Sequence, residues 1–380
     1  MKIVLWGVQT NNKGAELMLY AILQEIERRF PDATVYLPYS RMKQGPGYVK
    51  TNLDFRYSPF SKMTSRIHLH GIFRHLHLPM KILWSFDLVK GADWFIDGSG
   101  FAFSDQFNMN SESVNMWQYK LNRLHRHNCK IVFLPQAFGP VELSNTKKAL
   151  SILSQNASVI MPREKVSYDY LKDSGVVNMD RVRLFTDFTS LVEGVFPQKY
   201  NHLRNGICII PNMKMIDKGS ISYDDYIHLL TTFIEEGKKS GHVVYLLNHE
   251  GLRDELLANR CRESIGGGIE VVTGLNALEV KGLIASAYLV ITSRFHGVAS
   301  ALNSCVPCLA TSWSHKYQEL YNDYNMHDCV LPLDNDIKAI EQIRQYLNTD
   351  KNLKIRNILN EQVPHIKDET REMWKTVWSI

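Results

Sequence analysis

The chain lacks the features that mark several large classes of protein. None of its 380 residues lie in an apolar run of about 18 or more, so we expect no transmembrane helix. Its six cysteines are scattered, which does not fit a disulfide framework and favours a reducing cytoplasm. The apolar start, Met1–Val8, runs directly into polar residues, so we expect no signal peptide. No dense basic block, RNP-like or C2H2 pattern occurs, and nucleic acid is not an expected partner.

The composition is that of an ordinary globular protein with room for two domains. Hydrophobic residues make up 44% of the chain, charged residues 22%, and the mild net charge of +5 suits anionic ligands. Short apolar strands alternate with helices in two series, and this alternation predicts parallel sheets. The first series ends in a predicted strand at Arg183–Phe185. A polar stretch, Pro197–Gly206, separates the series as a hinge. We therefore predict an α/β protein with two Rossmann-like domains facing a central cleft (GT-B-like), at residues 1–196 and 206–350, and a helical tail at residues 351–380.

The motif Ser293-Arg294-Phe295-His296-Gly297 directly follows an apolar run that reads as a buried strand, and it precedes a helix-forming stretch. A helix N-terminus at the end of a strand attracts anions through its backbone N–H groups and its dipole. Arg294 adds a planar cation, and His296 adds a group that can carry a proton near neutral pH. The motif predicts a site for an anionic substrate that must gain or lose a proton. The alternative for so short a motif is a surface arginine beside a structural histidine.

The stretch Arg66–Trp84 interleaves apolar and basic residues and contains no acidic residue. One interpretation is an interfacial segment in peripheral contact with an anionic membrane, or with the lipid of a lipid-linked acceptor. The other is a helical hairpin whose apolar face belongs to the core. Its histidine pairs, His68 with His70 and His75 with His77, lack acidic or cysteine partners, so we expect no metal site.

Several further motifs follow predicted strands in a fixed order. In chain order they are Asn12-x-Gly14-x-Glu16, Asp97-Gly98-Ser99-Gly100 with Asp105, Leu134–Pro140 with Gln136, Arg163-Glu164, Asp187, the Ser293–Gly297 motif and Lys316. This ordered set resembles the polysaccharide pyruvyltransferase family over about residues 1–325.

The resemblance implies transfer of the enolpyruvyl unit of phosphoenolpyruvate to two hydroxyls of a saccharide, which forms a cyclic pyruvate ketal in cell-surface polysaccharide synthesis. It implies His296 as the catalytic acid/base and Arg163, Arg294 and Lys316 as cations that bind the donor. We expect the acceptor to contact a set of polar and small residues at strand ends: Asn12, Glu16, Gly98, Ser99, Asp105 and Gln136. Phosphoenolpyruvate is a co-substrate, and neither a cofactor nor a metal is expected.

Two alternatives use the same fold. A GT-B nucleotide-sugar glycosyltransferase would use the basic residues of the second half to hold a diphosphate. It would also need an acidic residue for the ribose, for which Glu319 is the nearest candidate. A non-catalytic glycan-binding or scaffold protein is the other alternative. For an enzyme of this kind we expect a cytoplasmic location, with peripheral attachment to the inner face of the membrane if Arg66–Trp84 contacts lipid.

Overall fold

The computed structural model describes residues 1–38, 48–57, 91–311, 316–333 and 335–380, which form two compact units. The first unit comprises Met1–Asn11, Met18–Phe188 and Glu369–Ile380, and the second comprises Asn12–Leu17 and Thr189–Asp368. These limits differ from the predicted ones, because the second unit begins at Thr189 and takes in a short segment after the first strand. The stretch Arg66–Trp84 lies outside the described residues. No helix in the described ranges is both long and apolar enough to cross a membrane.

The first unit is built on a parallel sheet. Within the described ranges its strands are β1 (Lys2–Trp6), β2 (Thr34–Leu37), β3 (Asp54–Tyr57), β4 (Trp94–Asp97), β5 (Phe101–Phe103), β6 (Lys130–Phe138) and β7 (Val159–Pro162). They lie in the order β3-β2-β1-β4-β6, and β5 and β7 both pair with the long strand β6. The α-helices in the described part of this unit are α1 (Lys13–Arg29), which begins in the second unit, α2 (Ser111–Arg126), α3 (Ser144–Asn156) and α4 (Lys165–Asp173).

The second unit has a six-stranded parallel sheet among its described residues. Its strands are β8 (Ile207–Ile210), β9 (Val244–Leu247), β10 (Glu270–Val272), β11 (Leu289–Thr292), β12 (Cys308–Thr311) and β13 (Val330–Leu331). Their order is β10-β9-β8-β11-β12-β13. The helices are α5 (Lys214–Asp217), α6 (Tyr223–Lys239), α7 (Gly251–Ser264), α8 (Ala277–Ala285), α9 (Phe295–Asn303), α10 (Lys316–Asp323), α11 (Asp336–Leu347) and α12 (Thr349–Trp378).

The sheets form because their central strands are short and apolar throughout. Every residue of β8, β9, β11 and β12 is buried, as is typical of parallel strands covered by helices on both faces. Short stretches of 3-10 helix join these elements at Asp105–Phe107, Met179–Arg181, Phe188–Leu191 and Gln198–Leu203. The last of these occupies much of the predicted hinge.

The predicted strand at Arg183–Phe185 does not form. The chain makes an isolated parallel bridge between Val182 and Ile160, and two further backbone hydrogen bonds follow, from Arg183 and Phe185 to β7. These hydrogen bonds do not extend into a continuous ladder. The segment therefore ends the sheet without adding a strand.

The end of α12 joins the first unit through tryptophans. Trp378 contacts Trp94 edge-on at a centroid distance of 5.0 Å and stacks on Trp374 at 5.7 Å. Its indole N–H donates to the Glu25 carboxylate at 2.9 Å. These contacts explain why the last twelve residues, predicted as part of a separate tail, pack with the first sheet.

The segment Thr189–Phe196 is fastened to α8. Its backbone meets the helix at two glycines: a Cβ on Gly194 would lie 2.3 Å from Gly282 N, and one on Gly282 would lie 2.3 Å from the Val195 carbonyl carbon. Val195 N–H donates to the Leu278 carbonyl at 2.9 Å, and the buried Lys281 ammonium donates to the Thr189 carbonyl at 3.0 Å. Only hydrogen atoms fit between the two backbones.

We predict that Gly282→Ala destabilises the protein. In an exposed helix the change would stabilise by about 1 kcal/mol, because alanine has the higher helix propensity. Here the methyl group overlaps backbone atoms, and overpacking of this kind costs about 1–3 kcal/mol. Thermal or denaturant unfolding shows whether the substitution lowers or raises the stability. An unchanged or raised melting temperature would show that the helix can move away without cost.

Candidate active site

The carboxyl ends of three strands meet in the second unit. Strand β8 lies between β9 and β11, and all three run parallel, so the residues that follow them lie at one edge of the sheet. The sheet order changes direction at β8, since β9 follows on one side and β11 on the other. Such switch points are where open α/β sheets bind ligands. Asn212, His249 and the Ser293–Gly297 motif follow the three strands.

The backbone of the motif is held from several directions. The Ser293 carbonyl accepts hydrogen bonds from the amide of Asn212 at 2.9 Å and from the hydroxyl of Tyr317. The Tyr226 hydroxyl lies 3.5 Å from the Ser293 hydroxyl. The Arg294 N–H donates to the hydroxyl of Thr292 at 3.0 Å. These buried hydrogen bonds fix where the side chains of the motif begin.

The guanidinium of Arg294 is buried between two carboxylates. One terminal nitrogen donates to Glu250 and the other to Asp254. Burial lowers the pKa of Arg294 to about 10, which leaves the side chain charged at neutral pH. Its Nε–H is buried and has no hydrogen-bond partner among the described residues. An unsatisfied buried donor of this kind is costly, so a ligand atom that accepts from it would be favoured.

His296 lies in the first turn of α9 and is half-buried. A Cβ on Gly14 would lie 2.3 Å from His296 Nδ1, so the imidazole packs directly against the backbone of that glycine. The ring also contacts Phe295 edge-on at 5.4 Å. The Lys316 ammonium lies 5.8 Å from the Phe295 ring centroid. The predicted donor-side residues Arg294, His296 and Lys316 are thus brought together.

His249 is a site residue that the sequence interpretation did not assign. It is buried, and its Nδ1 has no hydrogen-bond partner among the described residues. Burial holds the pKa of His249 well below its usual range, and the charges of Arg294, His296 and Lys13 act in the same direction. The ring is therefore neutral and lies within electrostatic range of three basic groups. The available signal was the polar triplet Asn248-His249-Glu250 at the end of a strand.

The segment Asn12–Leu17 belongs to the second unit. Asn12 Oδ1 accepts from the N–H groups of Gly14 at 2.9 Å and Ala15 at 3.1 Å, which caps the start of α1. Glu16 is fully buried, pairs with the Lys13 ammonium at 2.8 Å and accepts from the Ala277 N–H of α8 at 3.1 Å. Asn12 and Glu16, predicted on the acceptor side, therefore lie in the same unit as His296.

The other predicted residues lie at the carboxyl edge of the first sheet. The buried Arg163 guanidinium is 3.4 Å from Glu164 and 3.9 Å from Asp187. The Arg163 N–H donates to the Gln136 carbonyl at 3.0 Å. Arg163 and Gln136 are therefore neighbours within the first unit.

Asp97 and Gln136 form a buried polar pair at the ends of β4 and β6. The Gln136 amide lies 3.4 Å from Asp97 Oδ1, which also accepts from the Ser99 N–H at 2.9 Å. Asp97 Oδ2 and Gln136 Oε1 are buried without partners among the described residues. Burial raises the pKa of Asp97, while the Ser99 N–H and the Lys120 ammonium oppose the shift.

Gly98 and Asp105 have packing roles that the structure makes plain. A Cβ on Gly98 would lie 2.8 Å from both Ile22 and Val8, so the strand end packs closely on α1. Asp105 Oδ2 accepts from the Leu143 N–H at 3.2 Å and from the Glu142 N–H at 2.6 Å. These bonds fix the loop before α3. Acceptor binding by either residue remains a prediction.

The described residues contain no cluster of three or more histidine, cysteine or acidic side chains that could hold a metal ion. The histidine pairs near residues 68–77 lie outside these ranges.

Comparison with known families shows which family the sequence matches. The sequence model of the family described as Polysaccharide pyruvyl transferase matches residues 12–315. The chain belongs to the polysaccharide pyruvyl transferase family. The match spans the Asn12–Leu17 segment, Arg163 and the Arg294–His296 motif, which confirms the resemblance seen in the sequence. The family description indicates a transferase that acts on polysaccharide. No curated protein shows significant similarity to the chain.

Solved structures confirm the predicted GT-B-like fold of this family member. A putative UDP-N-acetylglucosamine 2-epimerase from Listeria monocytogenes matches with a TM-score of 0.62 and 12% identity, over 100% of this chain and 95% of that one. Anabaena HepE, solved with UDP and glucose, matches with a TM-score of 0.58 and 11% identity over 100% of both chains. WaaG, a glycosyltransferase involved in lipopolysaccharide biosynthesis, matches with a TM-score of 0.54 and 12% identity over 99% and 98%. At such low identity these likenesses show the fold alone.

Glu16 gives a test of the local geometry. Glu16→Ala leaves the Lys13 ammonium and the Ala277 N–H without their buried partner, so we expect a loss of about 3–5 kcal/mol of stability. Glu16→Gln keeps an acceptor for the N–H but loses the charge, and it should cost less. Unfolding curves of both variants show which of them loses more stability. If both variants melt with the parent, Glu16 is not an anchor, and its predicted role in acceptor binding gains weight.

Proposed function

We propose that the protein transfers the enolpyruvyl unit of phosphoenolpyruvate to two hydroxyls of a saccharide and forms a pyruvate ketal. The observation that carries the proposal is the pairing of Arg294 with His296 at the switch point of the second sheet, within a chain of the pyruvyl transferase family. One residue is a cation, the other a proton carrier, and both follow the same buried strand. A donor with a carboxylate and a phosphate needs this combination.

The donor needs strong cations. Phosphoenolpyruvate has a carboxylate and a phosphate, and planar guanidinium groups bind both through paired hydrogen bonds. We assign Arg294 and Lys316 of the second unit to this task, with the unsatisfied Arg294 Nε–H as one donor. The sequence also predicts Arg163 as a donor-binding cation, and Arg163 belongs to the first unit. The charges of Arg294, His296 and Lys13 all act on the neutral His249 ring, so Lys13 adds positive charge to these surroundings. We propose that no redox cofactor or metal takes part.

The reaction requires proton transfer at carbon. His296 would donate a proton to the methylene carbon of the donor, which becomes a methyl group, while the first sugar hydroxyl attacks the adjacent carbon. Loss of inorganic phosphate from this adduct leaves an oxocarbenium-like carbon, and the second hydroxyl closes the ring. Of the two hydroxyl protons, one replaces the proton that His296 gave and the other leaves with phosphate. The balance is one donor and one diol giving one ketal and one phosphate.

The acceptor is proposed to be a saccharide of cell-surface polysaccharide synthesis. Asp97 Oδ2 and Gln136 Oε1, unsatisfied at the edge of the first sheet, support this by offering acceptors of the kind that bind sugar hydroxyls. Ser99 lies beside them. From the sequence we also propose a cytoplasmic location, a lipid-linked acceptor and membrane contact through Arg66–Trp84. That stretch lies outside the described residues.

We predict that His296→Asn lowers turnover about 100-fold or more, because the proton carrier is lost. Gly14→Ala should act on the same residue indirectly, because its methyl group would displace the imidazole. A misplaced catalytic group lowers the rate about 10- to 100-fold. Donor-dependent phosphate release with a panel of saccharide acceptors measures both. Unfolding curves provide the control, since both variants should melt close to the parent. Normal turnover in the folded His296 variant would assign the proton to another group.

We predict that phosphoenolpyruvate raises the melting temperature and that UDP- and GDP-sugars do not, because only a ligand that binds the folded state stabilises it. Arg294→Lys and Arg163→Lys should each reduce the shift, since lysine keeps the charge but loses the planar fork. Lys165→Arg, on an exposed helix surface, is the control. Stabilisation by UDP-sugars alone would instead support a nucleotide-sugar glycosyltransferase.

A further inference from the structure

The two carboxylates that pair with Arg294 lie one helical turn apart. Glu250 immediately precedes α7, and Asp254 lies in its first turn, so both face the same side. Each accepts from a different terminal nitrogen of the guanidinium. With both in place and ionised, which for Asp254 requires a pH above about 7, a single positive charge is shared between two negative ones. The guanidinium and its two partners together then carry no net positive charge that would attract an anion.

The two carboxylates are held very differently. The Asp254 side chain is 2% exposed, and its Oδ1 accepts from the Met213 N–H at 3.0 Å, which ties α7 to the loop after β8. Burial raises the pKa of Asp254 to about 7, and the Met213 N–H and the Lys214 ammonium oppose the shift. The Glu250 side chain is 26% exposed, and the Lys214 ammonium lies 3.9 Å from it. The Glu250 side chain can rotate towards solvent, whereas the Asp254 side chain is enclosed by protein.

An anionic ligand needs the N–H groups that Glu250 occupies. A phosphate or carboxylate that binds Arg294 beside two carboxylates would meet their repulsion in a partly desolvated place. Removal of one carboxylate frees the Arg294 Nη1 donor and takes away half of the opposing charge. The remaining buried carboxylate would still hold the guanidinium in its orientation, as buried partners of functional groups do.

We propose that Asp254 is the positioning residue for Arg294 and that Glu250 is an exchangeable internal ligand, which the anionic substrate displaces from Arg294. The proposal rests on the proposed function only in naming that anion as phosphoenolpyruvate. It assigns opposite effects to two carboxyl groups that touch the same guanidinium. A general loss of negative charge or of stability would move both in the same direction.

The test is calorimetric titration of the full chain with phosphoenolpyruvate, UDP and inorganic phosphate. Glu250→Gln should bind the cognate anion about fivefold or more tightly, because a competing carboxylate is gone. Asp254→Asn should bind it about tenfold or more weakly, because Arg294 is no longer held. Glu263→Gln, which makes the same change at the exposed far end of α7, is the control and should stay within about twofold of the parent.

The outcomes separate this proposal from the proposed function. If UDP binds instead of phosphoenolpyruvate but the two variants keep their opposite signs, the donor assignment fails and the exchange on Arg294 stands. Equal or weaker binding by Glu250→Gln overturns the exchange, as does parental affinity in Asp254→Asn. Should Asp254→Asn not fold, the sign of the Glu250→Gln effect decides. Absence of binding by all three anions to the parent and to Glu250→Gln also overturns it.

Discussion

The buried charge of Arg294 is the constraint on which the arrangement of the second unit depends. A guanidinium taken out of water must be paired, and the partners must themselves be held in place. Asp254 meets this requirement by accepting from the backbone of the loop after β8, while the Ser293 carbonyl is fixed by Asn212 and Tyr317. The ends of β8, β9 and β11 are therefore tied together around one cation. The position of Arg294 is therefore fixed by the protein's own residues.

A second constraint is the absence of a side chain at Gly14. The segment Asn12–Leu17 follows the first strand of the chain, yet it packs with residues of the second unit. Glu16 anchors it to the N-terminus of α8, and the glycine lets its backbone touch the His296 ring. The orientation of the imidazole thus depends on a residue far away in the sequence. A larger side chain at this position would change the site without touching either sheet.

Much of the fold could be predicted from the sequence because parallel strands are short, apolar and followed by polar residues. The apolar runs Ile207–Ile210 and Cys308–Thr311 each form a buried strand. The Arg183–Phe185 segment makes only backbone hydrogen bonds to β7 beside an isolated bridge, and a local residue pattern does not distinguish such a segment from a strand. The Ser293–Gly297 motif was recognised because a strand and a helix frame it locally.

The partners of that motif could not be predicted in the same way. Glu250 and Asp254 reach Arg294 because β9 and β11 flank β8, and strand order is not contained in local periodicity. The contact between Gly14 and His296 joins residues with no sequence pattern in common. Asp105 was predicted to bind the acceptor, which stays a prediction, and its oxygens accept from backbone N–H groups of the loop before α3. A polar residue at a strand end serves the backbone as readily as it serves a ligand.

The central claim is that His296 delivers a proton to the donor carbon while a saccharide is ketalised. The most direct measurement is the reaction with phosphoenolpyruvate and an acceptor saccharide in D2O, followed by mass spectrometry and NMR of the product. The account predicts an acceptor that gains pyruvate less one water, a ketal carbon, a methyl group carrying one deuterium, and release of one inorganic phosphate. A product that gains a sugar residue from a nucleotide donor, or a pyruvate ketal without deuterium in its methyl group, would contradict it.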